Sequence, residues 1–290
     1  MTVNPVTGDK LMNDPFKIDG PTCISFSGGR TSAYMLWRAL QSNGGLPDDC
    51  LTVFANTGKE AEETLEFVRE CSLRWSIPII WVEYTEGGGV RVVDFETASR
   101  KGEPFEALIQ KRQYLPNPVA RFCTAELKIL TAVRYLRGLG WEEWDNLIGM
   151  RADEPARVAK VRASPSGGTK WVERHVPLAT AGISVQDVLK FWRGQDFDLG
   201  LPVINGKTMH GNCDLCFLKP PAQRLSLIRE NPSRAVWWIA QEASIQSSRI
   251  VDGARFSKDG PSYAQMLAYS QNQQEMFDPN EEAIACFCGD

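Results

Sequence analysis

The chain has 290 residues, 43% hydrophobic and 23% charged, and no run of 18 apolar residues, so composition excludes a disordered chain and a membrane-spanning helix. Its 32 Lys and Arg against 36 Asp and Glu leave a net charge of −4, which excludes a global positive field for nucleic acid but not a local basic patch. Residues 1–14 lack the basic-then-apolar layout of a secretory signal, so the expectation is a cytoplasmic protein with no membrane partner.

In chain order, Cys23–Phe26 reads as a short buried strand, closed by the glycine turn Ser27-Gly28-Gly29-Arg30-Thr31-Ser32. Ala33, Leu36, Trp37 and Leu40 then recur at helical spacing. Leu51–Ala55 repeats the strand pattern, Asn56-Thr57-Gly58 breaks it, and Ala61, Leu65 and Val68 carry a second helix. Ile79–Tyr84 is a third strand. Strand, turn, helix and strand in succession predict βαβ units and a parallel sheet with right-handed crossovers.

Beyond Gly87-Gly88-Gly89, residues 96–118 read as helix fragments and loop. A long helix over roughly Thr124–Arg137 is stopped by Gly138 and Gly140. Asn146–Met150 reads as a strand that feeds the charged loop Arg151–Arg157. Val158–Ala163 and Trp171–Val176 flank a Ser-Pro-Ser-Gly-Gly turn, which predicts a hairpin. After Pro177 the pattern is helical: Ser184-Val185-Gln186-Asp187 has capping-box spacing, and Ala222–Glu230 and Ala235–Gln246 supply two further helices. The expected fold class is α/β, a doubly wound, mostly parallel five-stranded sheet over residues 20–177, with a helical C-terminal part over residues 178–290.

A strand that ends in Ser-Gly-Gly and opens a helix gathers backbone N–H groups and the positive helix end at one point, a ready anion site. Gly28 and Gly29 let the backbone approach closely, Ser27, Thr31 and Ser32 add hydroxyls, and Arg30 adds charge. An ordinary strand-to-helix turn would use the same glycines to relieve strain. Neither the Gly-Lys-Ser of a P-loop nor the spaced glycines of a dinucleotide fold is present. In an open parallel sheet the turns at 27–32, 56–58 and 149–157 would converge beyond the strand ends. Arg151, Arg157 and Lys128 could then meet a phosphate chain, or else form surface ion pairs with Asp153 and Glu154.

Cys23, Cys50 and Cys71 fall in apolar stretches and read as buried free thiols. Cys213-x-x-Cys216 supplies two thiolates for one metal, and Cys123 with Cys288 or Cys286 would complete an all-sulfur set, with His210 as a nitrogen alternative. An iron–sulfur cluster, structural zinc and free thiols all stay open. His175 reads as structural, and Trp237-Trp238 as core or interface rather than a base-stacking platform.

At these residues the chain resembles the PP-loop superfamily, the ATP pyrophosphatases together with the phosphoadenylyl-sulfate (PAPS) reductases, whose signature Ser-Gly-Gly-x-Asp-Ser stands here as Ser27–Ser32 with Thr31 in place of the aspartate. Phe54–Gly58, Arg121-Phe122-Cys123-Thr124 with Leu127-Lys128, and Gly149-Met150-Arg151 with Glu154 and Arg157 match three further motifs in order. The resemblance implies an adenine nucleotide alpha hydrolase-like fold that binds ATP or PAPS through Ser27, Gly28, Gly29, Arg30, Thr31, Ser32, Asn56, Thr57, Gly58, Gly149, Arg151 and Glu154. It assigns catalytic roles to Ser27, Arg30, Lys128, Arg151 and Arg157, with Mg2+ as an optional metal.

It further implies a [4Fe–4S] cluster, with zinc as the alternative, on Cys123, Cys213, Cys216 and Cys288. The implied reaction is ATP-dependent adenylation of an acceptor, such as a nucleobase or nucleic acid, followed by sulfur transfer from a donor protein. Two alternatives stand beside it. One is a PAPS reductase that attacks sulfur with Cys286 or Cys288, and the other is a non-catalytic nucleotide- or metal-binding module of a DNA-modification or defence complex.

Overall fold

A computed structural model describes residues 14–166, 171–204, 206–211, 213–245 and 254–272. Its centre is a six-stranded sheet in the order β4-β3-β2-β1-β5-β6, formed by β1 (Thr22–Phe26), β2 (Cys50–Asn56), β3 (Ile79–Tyr84), β4 (Val90–Val93), β5 (Trp144–Ile148) and β6 (Val172–His175). β1 pairs in parallel with β2 and β5, β2 with β3, and β5 with β6; β4 alone runs antiparallel, against β3. The strand order turns around at β1. The chain winds from β1 towards β3 on one side and later adds β5 and β6 on the other, so the turns after β1 and β5 adjoin at the switch point.

Two helices follow the first strands as their periodicity predicts, α1 (Arg30–Asn43) after β1 and α2 (Glu62–Trp75) after β2. Ala33, Leu36 and Leu40 of α1, with Leu65 and Val68 of α2, lie in one apolar core with Ile24, Phe26 and Phe54 of the sheet. Burial of each such side chain stabilises the fold by roughly 1.5–3 kcal/mol. α3 (Glu103–Arg112) occupies the stretch read as helix fragments. The long helix expected from Thr124 is a π-helical turn over Thr124–Leu130, continued by α4 (Thr131–Gly138).

Two expectations are corrected. The sheet has six strands rather than five, because Val90–Val93 folds back on β3 through the turn around Gly87 and Gly88, both with left-handed φ. Residues 158–163 are not a hairpin arm but part of α5 (Pro155–Ala163), with Pro155 in the first turn and Val158 and Val161 buried three residues apart. A helix there makes the connection to β6 a crossover, so β6 pairs in parallel with β5.

The rest of the described chain is helical apart from a short ribbon, β7 (Val203–Ile204) and β8 (Lys207–Thr208). α6 (Pro177–Thr180) and α7 (Val185–Arg193) lead into it; α8 (Pro221–Glu230), α9 (Arg234–Ser244) and α10 (Tyr263–Asn272) follow it. Leu178, Val188 and Trp192 lie in the core of α1 and α2, while Leu227, Trp238 and Tyr263 share a second core with Phe105, Leu108 and Leu127. Among the described residues no helix is long and apolar enough to cross a membrane.

The capping box read from Ser184 to Asp187 is formed, with Ser184 N donating to Asp187 Oδ2 at 2.8 Å and Asp187 N donating to Ser184 Oγ at 3.4 Å. Ser184→Ala is therefore expected to destabilise the protein by about 1 kcal/mol in urea denaturation; an unchanged midpoint and slope would refute the role.

Glu126 gives a pH signature. Its carboxylate accepts from Arg134 and Arg112, and these bonds, Arg134's first, hold it below the ordinary glutamate range. A carboxyl depressed on folding contributes stability that is present above its unfolded pKa and lost as pH falls through its folded value. Glu126→Gln is expected to flatten the acid limb of stability against pH while leaving the neutral-to-alkaline limb parallel to wild type.

Candidate functional site

The turn after β1 is built around a residue that can only be glycine. Gly28 has φ +79°, and a Cβ there would lie 2.6 Å from Thr64 Cγ2 and 3.2 Å from both Phe54 and Val68 side-chain atoms. The backbone is thus pressed against β2 and α2 while α1 begins at Arg30. Ser32 Oγ fixes the loop from inside. It accepts from Ser27 N at 3.1 Å, donates to Gly29 O at 3.0 Å and lies 2.9 Å from Ser27 Oγ. The opening turn of α1 points its N–H groups and its positive end into this corner.

The turn after β5 closes against it. A Cβ on Gly149 would lie 3.1 Å from Ser32 Cα, so the chain passes directly over the first turn of α1. Arg151 Nη1 donates to Thr31 Oγ1 at 3.0 Å and Arg151 Nε to Asp153 at 3.0 Å, while Arg151 N donates to Glu154 Oε2 at 2.9 Å. Arg157 Nη1 donates to Glu154, yet Arg157 Nε and Nη2 are buried with no partner. Unpartnered N–H groups on a largely buried guanidinium are costly. Where the superfamily signature carries an aspartate, Thr31 offers a hydroxyl bonded to a guanidinium.

Arg30 is placed differently from the expectation. Its guanidinium is clamped to Asp198 at 2.7 and 2.5 Å and donates to Leu201 O at 2.9 Å, and Trp192 Nε1 donates to Arg30 O at 2.9 Å. The charge is spent tying the loop to residues 192–201. Asn56 is likewise consumed: it is fully buried, Nδ2 donates to Glu83 Oε1 at 2.6 Å and Ser99 O at 2.8 Å, and Oδ1 accepts from Gly58 N at 3.1 Å. Glu83 is balanced by Arg91 at 2.6 Å. Asn56 thus shapes the turn after β2.

The second turn also meets the cysteines. Thr57 N donates to Glu60 Oε2 at 2.9 Å and Thr57 Oγ1 to Glu60 Oε1 at 2.8 Å, and the same Thr57 Oγ1 lies 3.5 Å from Cys213 Sγ. Glu60, 2% exposed at its side chain, stands 3.7 Å from Lys128 Nζ, one turn beyond Cys123 in the chain. Asp214 N donates to Lys59 O at 2.5 Å. The turn itself is tight, with Cys216 N donating to Cys213 O at 3.4 Å, and Cys123 and Cys216 pack on the same apolar core.

The structure therefore gathers Thr57, Lys128, Cys213 and Cys216 about one end of the sheet, with Cys123 on the same apolar core. Cys213 and Cys216 supply two half-buried thiols in one turn, a donor type that suits iron or zinc. Cys288, with Cys286, lies outside the described residues. His210 Nε2 is 3.1 Å from Glu230. Elsewhere, exposed Asp145 and Glu173 with half-buried His175 bring three ligand atoms within 4.8 Å of one another on β5 and β6.

Sequence reasoning missed Glu60, Glu83, Lys59 and Asp214. Only Glu60 left a signal, the Thr-x-x-Glu spacing from Thr57 that lets a carboxylate reach back to a threonine N–H. The three cysteines read as buried thiols are buried. Burial pushes Cys50 up to about 12 and raises Cys23 and Cys71 further. Alkylation of the native, metal-free protein at pH 8 followed by mass mapping is thus expected to leave Cys23, Cys50 and Cys71 unmodified; labelling there at the rate of unfolded protein would contradict the packing.

No family model matches the chain. It is 32% identical over 214 residues to the uncharacterized nin region protein ORF290 of Escherichia phage lambda, an alignment that covers 70% of this chain and 68% of that one. Among solved structures, a PAPS reductase from Candida auris in complex with phosphate aligns over 64% of this chain and 81% of its own at 16% identity and a TM-score of 0.39. The U34-tRNA thiolase NcsA from Methanococcus maripaludis, with its [4Fe–4S] cluster, aligns over 90% and 84% at 15% identity and a TM-score of 0.42. With 32% identity over two thirds of each chain, this chain belongs to the family of the phage lambda ORF290 protein.

Proposed function

We propose that the protein is a PP-loop enzyme that binds an adenine nucleotide in the corner formed by residues 27–32, 56–58 and 149–157, adenylates an acceptor with ATP, and passes sulfur to the activated position. The observation that carries this reading is the 3.5 Å contact between Thr57 Oγ1 of the second turn and Cys213 Sγ. In this reading the contact brings a cysteine-held sulfur centre beside the nucleotide, an arrangement that plain nucleotide binding does not require.

In this reading the α1 N-terminus and the Ser27 and Ser32 hydroxyls hold the phosphates, and the unpartnered N–H groups of Arg157, with Arg151, face the leaving pyrophosphate. An acceptor oxygen attacks the α-phosphorus, the bond from that phosphorus to the bridging oxygen breaks, and pyrophosphate carries away the electron pair. A sulfur nucleophile then displaces AMP from the acceptor. Preorganised donors aimed at the developing charge supply the largest share of such a rate. Cys123, Cys213 and Cys216, with Cys288 or Cys286, would hold a metal centre, and such a centre offers a docking point for inorganic sulfur. Lys128 and Glu60 keep the Cys123 segment and Thr57 together. The acceptor class is a nucleobase or nucleic acid, with sulfur brought by a donor protein.

The test is to incubate anaerobically purified protein with labelled ATP, a sulfide source and RNA or DNA. Pyrophosphate release coupled to sulfur incorporation is expected, with Ser27→Ala slowing it by about 100-fold, as loss of one such donor does. Sulfite production from PAPS without pyrophosphate release from ATP would replace this function with reduction. Absence of both, with nucleotide binding intact, would leave a binding module.

A further inference from the structure

β5 and β6 bring three ligating side chains together on one face of the sheet. Asp145 is the register partner of Glu173 across the parallel pair, and Leu147 that of His175. Side chains two residues apart on a strand share a face, so Glu173 and His175 project together beside Asp145. One ligand atom from each lies within 4.8 Å of the other two, and His175 Nε2 stands 3.0 Å from Asp145 Oδ1. Ligand atoms around a tetrahedral ion with bonds of about 2.1 Å are about 3.4 Å apart, a spacing that side-chain rotation reaches from here.

Three features separate this group from an ordinary acidic patch. Carboxylates on facing positions of neighbouring strands repel, and among the described residues neither has an ion pair with Lys or Arg; the one salt bridge to either joins His175 to Asp145. Arg174, between Glu173 and His175 in the chain, is turned to the other face, where its guanidinium donates to the carbonyls of Pro165 and Ser164. The strand that carries Asp145 is also held firmly: β5 pairs on both sides, with β1 and β6, and Asp145 N donates to Pro21 O at 2.9 Å. Finally, an imidazole with two carboxylates suits zinc or a similar divalent transition ion, whereas Mg2+ and Ca2+ take oxygen ligands.

We propose that Asp145, Glu173 and His175 form a divalent-metal site of the zinc class that clips the edge strand β6 to β5. The site is separate from the cysteine turn and does not depend on what the cysteines hold. Three protein ligands leave the fourth position of a tetrahedral ion to water. The ion offsets the repulsion between the two carboxylates. Because folding of the sheet is what brings the three groups together, binding stabilises the native state by mass action.

The test titrates zinc anaerobically into chelator-treated, full-length wild type, His175→Ala, Asp145→Asn and Glu173→Gln by calorimetry, with circular dichroism to report folding; His175→Gln replaces His175→Ala should that variant not fold. Wild type is expected to bind one zinc more per chain than His175→Ala, whatever the cysteines take up, and to show a zinc-dependent rise in thermal midpoint larger than that of His175→Ala. Asp145→Asn and Glu173→Gln are expected to weaken the extra binding by about tenfold or more. The chain has only 2 histidines, so proton NMR supplies a second reading: the ring signal missing from His175→Ala is expected to shift in wild type when zinc is added. Equal zinc stoichiometry in wild type and the folded His175 variant, or a His175 ring signal indifferent to zinc, would overturn the proposal. Abolition of the extra binding by an equal concentration of Mg2+ would also overturn it, since that result belongs to exposed carboxylates screening charge.

Discussion

A buried carboxylate, Glu60, joins the turn after β2 to the segments that carry Cys123 and Cys213. It takes the N–H and hydroxyl of Thr57 in the turn after β2 and faces Lys128 beyond Cys123, and the Thr57 hydroxyl it fixes touches Cys213. A carboxylate at 2% exposure survives only where hydrogen bonds and a cation replace its water. Each of those partners is therefore bound to its place by the cost of leaving Glu60 unsatisfied. Two segments far apart in sequence, 123–128 and 213–216, are tied in this way to the end of a sheet strand.

The sheet supplies the other half of the arrangement. Because β1 stands where the strand order turns around, the loops that leave β1 and β5 meet, and the closeness of Gly149 to Ser32 is the contact of those two loops. Gly28 sets how deep the first loop can sit, since its left-handed φ and its contact with Thr64 both exclude a side chain. Arg151 and Arg157 then close the corner, ion-paired with Asp153 and Glu154. Arg151 is occupied by Thr31 and Asp153, and Arg157 retains two buried N–H groups.

Much of this was legible in the sequence because it is written in short-range pattern. The alternation of apolar strand, glycine turn and i, i+3, i+4 helix over residues 23–84 fixes the parallel sheet, and Ser184-x-x-Asp187 announces its capping box. The hairpin expected at 158–176 shows where pattern misleads: the Ser-Pro-Ser-Gly-Gly turn outweighed Pro155 and the three-residue spacing of Val158 and Val161, both helix signals. β4 was hidden because a four-residue strand leaves little periodicity.

The site was legible in its motifs but not in its partnerships. Nothing near Arg30 tells that Asp198, 168 residues away, will take its charge, and nothing near Asn56 tells that Glu83 and Ser99 will bury its amide.

The central claim is that a nucleotide's phosphates and the cysteine turn occupy one corner, and a crystal structure with a non-hydrolysable ATP analogue tests it most directly. The account predicts phosphate oxygens within hydrogen-bonding distance of the Ser27–Ser32 loop and of Arg157 Nε or Nη2, with Thr57 between the nucleotide and Cys213. A nucleotide bound elsewhere, or a loop that stays closed to it at saturating concentration, would contradict the account.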